Sequence, residues 1–271
     1  MPPKLGIIAG GGAMPGQLID ACRQEGRDFF ILGIEGAAHE AQFADVPHAF
    51  VPVGAIGTAL ALLKKAEVEE IVLAGHLKRP PMSKLGLDAT GTRLMVKLGL
   101  KLFGGDDALL KEIVRFLESE GFRVVGTQSI GQGLLAPKGV YTAMQPDARA
   151  EEDIALGFQA ARAVGALDIG QAVVVESGYV LGVEAAEGTD ALIERCASLM
   201  REQKRAVLVK ACKPGQDARA DLPSIGEQTV QKAHAAGCLG IAVEAGKAVL
   251  INRDALVRLA DQYGLFVTGI T

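Results

Sequence analysis

Through the first half of this chain, short apolar runs alternate with helix-like stretches, and that alternation limits the possible folds more than any other feature. Leu5 to Gly10, Phe29 to Ile34, Ala49 to Val53 and Glu70 to Ala74 read as strands. Gln17 to Glu25 and Ile56 to Lys65 read as the helices between them. A strand reaches a parallel neighbour only through a crossover, usually a helix, so the pattern implies a parallel sheet of the Rossmann kind. Ligands of such sheets bind at the carboxyl ends of the strands. Gly10-Gly11-Gly12-Ala13-Met14-Pro15-Gly16 follows the first strand, and Gly75-His76-Leu77-Lys78-Arg79-Pro80-Pro81 follows the fourth. Both segments are expected to face one crevice, where His76, Lys78 and Arg79 supply positive charge. The open amides at the start of the helix that follows the glycine turn, Gln17 to Glu25, suit phosphate.

The glycine spacing is not the G-x-G-x-x-G dinucleotide fingerprint, although Glu35 lies about where a ribose-binding acid would sit. A structural turn accounts for the glycines equally well. A nucleotide-dependent oxidoreductase built on Gly10, Gly12, Gly16 and Glu35 is one rival reading. A non-catalytic binding module for a sugar nucleotide or lipid is another.

From Met82 to Phe103, Leu94, Leu98 and Leu102 repeat every fourth residue beside Arg93, Lys97 and Lys101. One helix with an apolar stripe and a basic stripe is expected. It suits either a core-facing helix or contact with an anionic lipid surface. Asp106 and Asp107 read as caps of a helix Ala108 to Glu120, and Phe122 to Ile130 as a closing strand. Pro137, Gly139 and Pro146 mark a stretch without periodicity. The expected organisation is a Rossmann-like first domain at 1–132, a linker at 133–150 and a second α/β domain at 151–271.

The second domain reads as a helix–hairpin–helix–strand unit used twice. Val173 to Leu181 is a hairpin with a Ser-Gly turn, and Val243 to Leu250 is a similar run with an Ala-Gly turn. Between the two copies lies Lys210 to Gly226, longer than a connection requires and dense in opposite charges. Asp217 and Asp221 stand four apart among Lys210, Lys213 and Arg219. Glu184, Glu187 and Asp190 follow the first hairpin. A solvated surface loop is the ordinary alternative. Carboxylates mixed with lysine and arginine suit a magnesium–phosphate site, because Mg²⁺ takes one or two carboxylates, waters and phosphate oxygens. Cations then neutralise charge on a transferred phosphoryl group.

Other chemistries lack their motifs. There is no G-x-x-x-x-G-K-[ST], no H-E-x-x-H and no G-x-S-x-G. A net charge of −4 argues against nucleic acid as partner. Four cysteines without a C-x-x-C pair read as reduced thiols, and no signal peptide or long apolar span is visible. A cytoplasmic location is expected.

Six motifs together resemble the UDP-2,3-diacylglucosamine pyrophosphatase family of lipid A biosynthesis, in the branch unrelated to metallophosphoesterases. They are Leu5 to Pro15, Gly75 to Pro80, Gly105 to Leu110, Asp168 to Ala172, Val183 to Asp190 and Lys213 to Gly226. The resemblance implies a two-domain protein with its ligand between the domains. It implies Mg²⁺-dependent hydrolysis of UDP-2,3-diacylglucosamine to UMP and 2,3-diacylglucosamine 1-phosphate (lipid X), with water attacking the uridine-side phosphorus. Asp221 first, and Asp217 second, are expected to hold the metal or orient the water, with Lys210, Lys213 and Arg219 stabilising phosphate charge. Substrate contacts are expected from Gly10, Gly11, Gly12, Met14, Pro15, His76, Lys78, Arg79, Gln171, Gln216 and the run Glu187, Gly188, Thr189, Asp190. Peripheral contact with the inner membrane and a homodimer are left open.

Overall fold

The computed structural model describes residues 2–77, 81, 84–99, 106–131, 133–201, 205–217, 219 and 222–271, with the side chains of 106 and 107 left out. The chain divides into two compact units, Met1–Gln132 with Asp217–Asp221, and Gly133–Gln216 with Leu222–Thr271.

In the first unit the elements run β1 (Leu5–Ala9), α1 (Met14–Glu25), β2 (Phe29–Ile34), β3 (His48–Val51), α2 (Ile56–Lys65), β4 (Glu70–Ala74), α3 (Ala89–Leu98), α4 (Asp106–Ser119) and β5 (Arg123–Val124). The strands form one parallel sheet in the order β3-β2-β1-β4-β5. Chain direction across the sheet reverses between β1 and β4, which makes their carboxyl ends the topological switch point. Leu5, Ile7, Ile31, Leu32, Ile71 and Val72 are buried in the central strands, as the apolar runs require. Helix α1 buries Leu18, Ile19 and Cys22 and stops at Gly26, whose left-handed φ of 62° lets its amide cap the last turn.

Three expectations for this unit are revised. The helix that carries both stripes is shorter than the Met82 to Phe103 run: α3 starts at the Asp88 cap, which accepts the Gly91 amide at 2.7 Å, and ends at Gly99. Leu98 is buried and Leu94 half-buried, so the described part of the stripe faces its own fold, while Lys101 and Leu102 lie outside the described residues. Asp106 and Asp107 sit within the first turn of α4, not ahead of it. The closing strand is only Arg123–Val124, followed by a 3₁₀ turn at Thr127–Ser129.

The second unit runs β6 (Gly139–Val140), α5 (Ala148–Ala166), β7 (Ala172–Glu176), β8 (Tyr179–Val183), α6 (Gly188–Ala197), β9 (Ala206–Lys210), β10 (Ser224–Ile225), α7 (Glu227–Ala236), β11 (Cys238–Glu244), β12 (Val249–Leu250), α8 (Arg253–Tyr263) and β13 (Phe266–Ile270). Its main sheet has the order β6-β13-β11-β9-β7-β8, with β9, β11 and β13 parallel and the outer strands antiparallel. One face carries Val174, Leu208, Ile241 and Val243 against Leu192, Ile193, Val230 and Leu256 of α6, α7 and α8. The other packs Val207 and Val209 against Ala150 and Ile154 of α5. Gly157 lets α5 lie close, because a Cβ there would stand 2.6 Å from Val209 Cγ2.

The first hairpin is as expected, β7 and β8 joined through Ser177-Gly178. The second differs. β11 lies inside the sheet between β9 and β13, and β12 pairs in parallel with β10 instead. The order of elements recurs, but the second strand pair does not close on itself. Among the described residues no helix is long and apolar enough to cross a membrane.

Candidate active site

At the switch point of the first unit, the two segments predicted to share a crevice are joined directly. Gly10 donates to the Ala74 carbonyl at 2.8 Å, Gly11 to the His76 carbonyl at 2.8 Å, and His76 to the Gly11 carbonyl at 3.0 Å. Glycine is required at 10, where a Cβ would lie 2.5 Å from the His76 carbonyl oxygen. The His76 ring lies over Gly11 and Gly12, its Nε2 2.9 Å from where a Gly11 Cβ would stand. Gly12 takes a φ of 94°, and Ala13 caps α1 without a side-chain hydrogen bond. Met14 and Pro15 are buried anchors, so what this turn offers a ligand is backbone amides and the exposed His76. Lys78 and Arg79 lie outside the described residues.

In the second unit, polar side chains collect at the carboxyl edge of β9 and β11. Lys210 ends β9, is 5% exposed, and donates from Nζ to the Ser224 carbonyl at 3.0 Å, tying the entry of the charged loop to its exit. Glu244 ends β11 and accepts the Cys212 amide at 2.8 Å and Lys247 Nζ at 2.9 Å. Lys213 donates its amide to Gln216 Oε1 at 3.2 Å and its Nζ to Asp168 at 2.7 Å. Gln171 donates its amide to the buried Glu184 at 2.9 Å, and the other oxygen of Glu184 accepts the Thr189 hydroxyl at 2.7 Å. The Gln171 side-chain oxygen is buried and meets no hydrogen-bond partner among the described residues.

Glu187 and Asp190 serve their helices. Glu187 pairs with Arg195 at 2.9 Å, and hydrogen bonding from its own amide, then from Arg195, holds its carboxyl below the usual range. Asp190 accepts from Gln228 at 3.0 Å, linking α6 to α7. Gly188 supplies the positive φ, 81°, at which α6 begins.

In the loop itself, Asp217 accepts from Arg219 three times: from its amide and Nε at 3.0 Å on one oxygen, and from Nη2 at 2.8 Å on the other. Arg219 also donates to Glu118 of α4 at 2.6 Å. The guanidinium, then the Arg219 amide and the charge of Lys111, hold the Asp217 carboxyl low. Asp221 lies outside the described residues. Both Asp217 oxygens are therefore engaged, and among the described residues no group of three or more metal-binding side chains forms. The described donors do not by themselves make a magnesium site.

Motif reading passed over Glu244 and the part played by Glu118. Glu244 carried a signal, a charge closing an apolar strand just as Lys210 does. Glu118 carried none, because its partner stands 101 positions away.

Two α/β units, each gathering polar groups at the carboxyl ends of parallel strands, place the chain in the class of open-sheet α/β proteins, whose ligand sites lie at those ends. Residues 4–134 match the family model described as the LpxI N-terminal domain, and residues 137–268 match the LpxI C-terminal domain. The chain is 38% identical over 273 residues to a protein of Caulobacter vibrioides named UDP-2,3-diacylglucosamine pyrophosphatase LpxI, covering 98% of this chain and 97% of that one. The chain belongs to the LpxI family.

Proposed function

We propose that this protein is a UDP-2,3-diacylglucosamine pyrophosphatase of lipid A biosynthesis, a hydrolase acting on a phosphoric anhydride. The observation that carries this reading is the 38% identity, running through both units, to a relative of that name. In the reaction, the oxygen of water bonds to the uridine-side phosphorus. The bond from that phosphorus to the bridging oxygen breaks, and the bridging oxygen leaves on the 1-phosphate of lipid X. UMP is the other product.

Two negative phosphates need donors and cations. The amide at Gly12, the ammonium of Lys213 and the guanidinium of Arg219 are the groups we assign to them. Asp217 holds Arg219 in a fixed fork, and Asp221 is the residue we assign to orienting the attacking water. Magnesium is the expected metal, held with substrate phosphate oxygens. The protein is expected to act in the cytoplasm, reaching its lipid substrate at the inner membrane.

The test is release of UMP from UDP-2,3-diacylglucosamine by the purified protein with Mg²⁺ present. UMP and lipid X in equal amounts, lost on chelation and restored by added Mg²⁺, is the expected result. Intact substrate bound but not cleaved favours a binding module, and tight binding of a nicotinamide dinucleotide favours the oxidoreductase reading.

A further inference from the structure

Helix α5 ends in a Schellman turn, with the Asp168 amide on the Gly165 carbonyl at 3.0 Å and the Ile169 amide on the Val164 carbonyl at 3.3 Å. The residue in the left-handed position of that turn is Asp168, with a φ of 54°. Aspartate tolerates this region better than most residues, yet glycine occupies it without a Cβ penalty. An acid is also poorly placed beside a helix C-terminus, where the last carbonyls carry partial negative charge. The fold alone would be served better by glycine.

What the carboxylate does contribute is an ion pair. Asp168 accepts Lys213 Nζ at 2.7 Å, the two side chains being 30% and 14% exposed. The backbone of Lys213 is fixed independently. Its amide donates to Gln216, and it packs so close to α5 that a Cβ on Gly165 would lie 3.2 Å from the Lys213 Cα. Backbone and ammonium are thus held from two sides, and only the second hold depends on Asp168.

We infer that Asp168 is a positioning residue whose carboxylate aims the Lys213 ammonium at substrate phosphate. This rests on the assignment of Lys213 to a phosphate in the proposed function. A carboxylate that strains its own turn to hold a cation trades stability for placement.

The experiment compares five enzymes: wild type, Asp168→Gly, Asp168→Asn, Lys213→Gln and the double variant of Asp168→Gly with Lys213→Gln. Thermal melting is measured beside kcat and KM for UMP release. Asp168→Gly is expected to melt at or above the wild-type temperature while kcat falls on the order of 10- to 100-fold, as small misplacements of a charged group do. It is expected to add nothing further in the Lys213→Gln background. Asp168→Asn, which tolerates the same backbone and keeps an acceptor, retains part of the rate. Wild-type turnover in Asp168→Gly with an impaired Lys213→Gln overturns the inference and leaves the proposed function standing. A lower melting temperature with loss of rate in step overturns it too, in favour of a folding role. Wild-type turnover in Lys213→Gln removes the phosphate assignment itself, and this inference with it.

Discussion

Arg219 makes four hydrogen bonds to carboxylates, three to Asp217 and one to Glu118. Planar fork geometry is what lets a single guanidinium engage both oxygens of a carboxylate. Arg219→Lys keeps the charge and loses the fork, so it is expected to lower kcat/KM on the order of 10-fold despite its conservative look. A kcat/KM equal to wild type in steady-state assays of that variant would remove the fork from the account. A second residue carries a pH signature. Asp147 caps α5 through the Ala150 amide and pairs with Arg205 at 2.7 Å. The Arg205 hydrogen bond, then the cap, bring its pKa from 3.8 to about 2. A carboxyl depressed in the folded state stabilises above its unfolded pKa and loses that contribution as pH falls through the folded one. Wild type is therefore expected to melt above Asp147→Asn at neutral pH, with the gap closing between 3.8 and about 2. A gap that does not change over that window counts against the pairing.

The β7–β8 hairpin shows how an element depends on one buried acid. Asp153 of α5, 1% exposed, accepts the amides of Ser177 and Gly178 at 2.8 and 2.7 Å, and both turn residues have positive φ. Asp153→Ala leaves two turn amides without their charged acceptor, at a cost of about 3 kcal/mol. Denaturant unfolding measures it, and a loss below about 1 kcal/mol would show that water replaces the carboxylate. On the same helix, Gly157→Ala sets a methyl 2.6 Å from Val209 Cγ2. Overpacking of this kind costs roughly 1–3 kcal/mol, offsetting the gain of about 1 kcal/mol from helix propensity. A melting temperature above wild type would contradict that close approach. Elements whose signal is local were readable beforehand: α2 and β4 have the limits their periodicity and apolar runs indicate, and Ser-Gly marks a real turn. Elements set by distant partners were not. Val243 to Leu250 has the composition of a hairpin, but β11 is already flanked by β9 and β13, so β12 finds β10. Gly99 ends α3 against a stripe that continues in sequence, because the backbone there takes a φ of 50°.

Across the molecule, Asp217–Asp221 counts with the first unit while the loop residues on either side of it count with the second. Charge density and spacing pointed to this loop, but no local pattern told that its middle would count with the first unit. The pairing of the glycine turn with His76 was foreseeable, because alternating strands and helices fix which strand ends meet. The ties from Lys213 to Asp168 and from Arg219 to Glu118 were not, since each joins segments far apart in the chain. Asp221 remains the residue assigned to the water, and Asp221→Ala is expected to lower UMP release on the order of 100-fold or more while substrate still binds. A near-normal rate in that variant would move the assignment elsewhere. Hydrolysis of the diphosphate from its uridine side is tested most directly by turnover of UDP-2,3-diacylglucosamine in ¹⁸O-water, with both products weighed by mass spectrometry. One heavy oxygen in UMP and none in lipid X is the predicted result; label in lipid X, or no UMP at all, would contradict it.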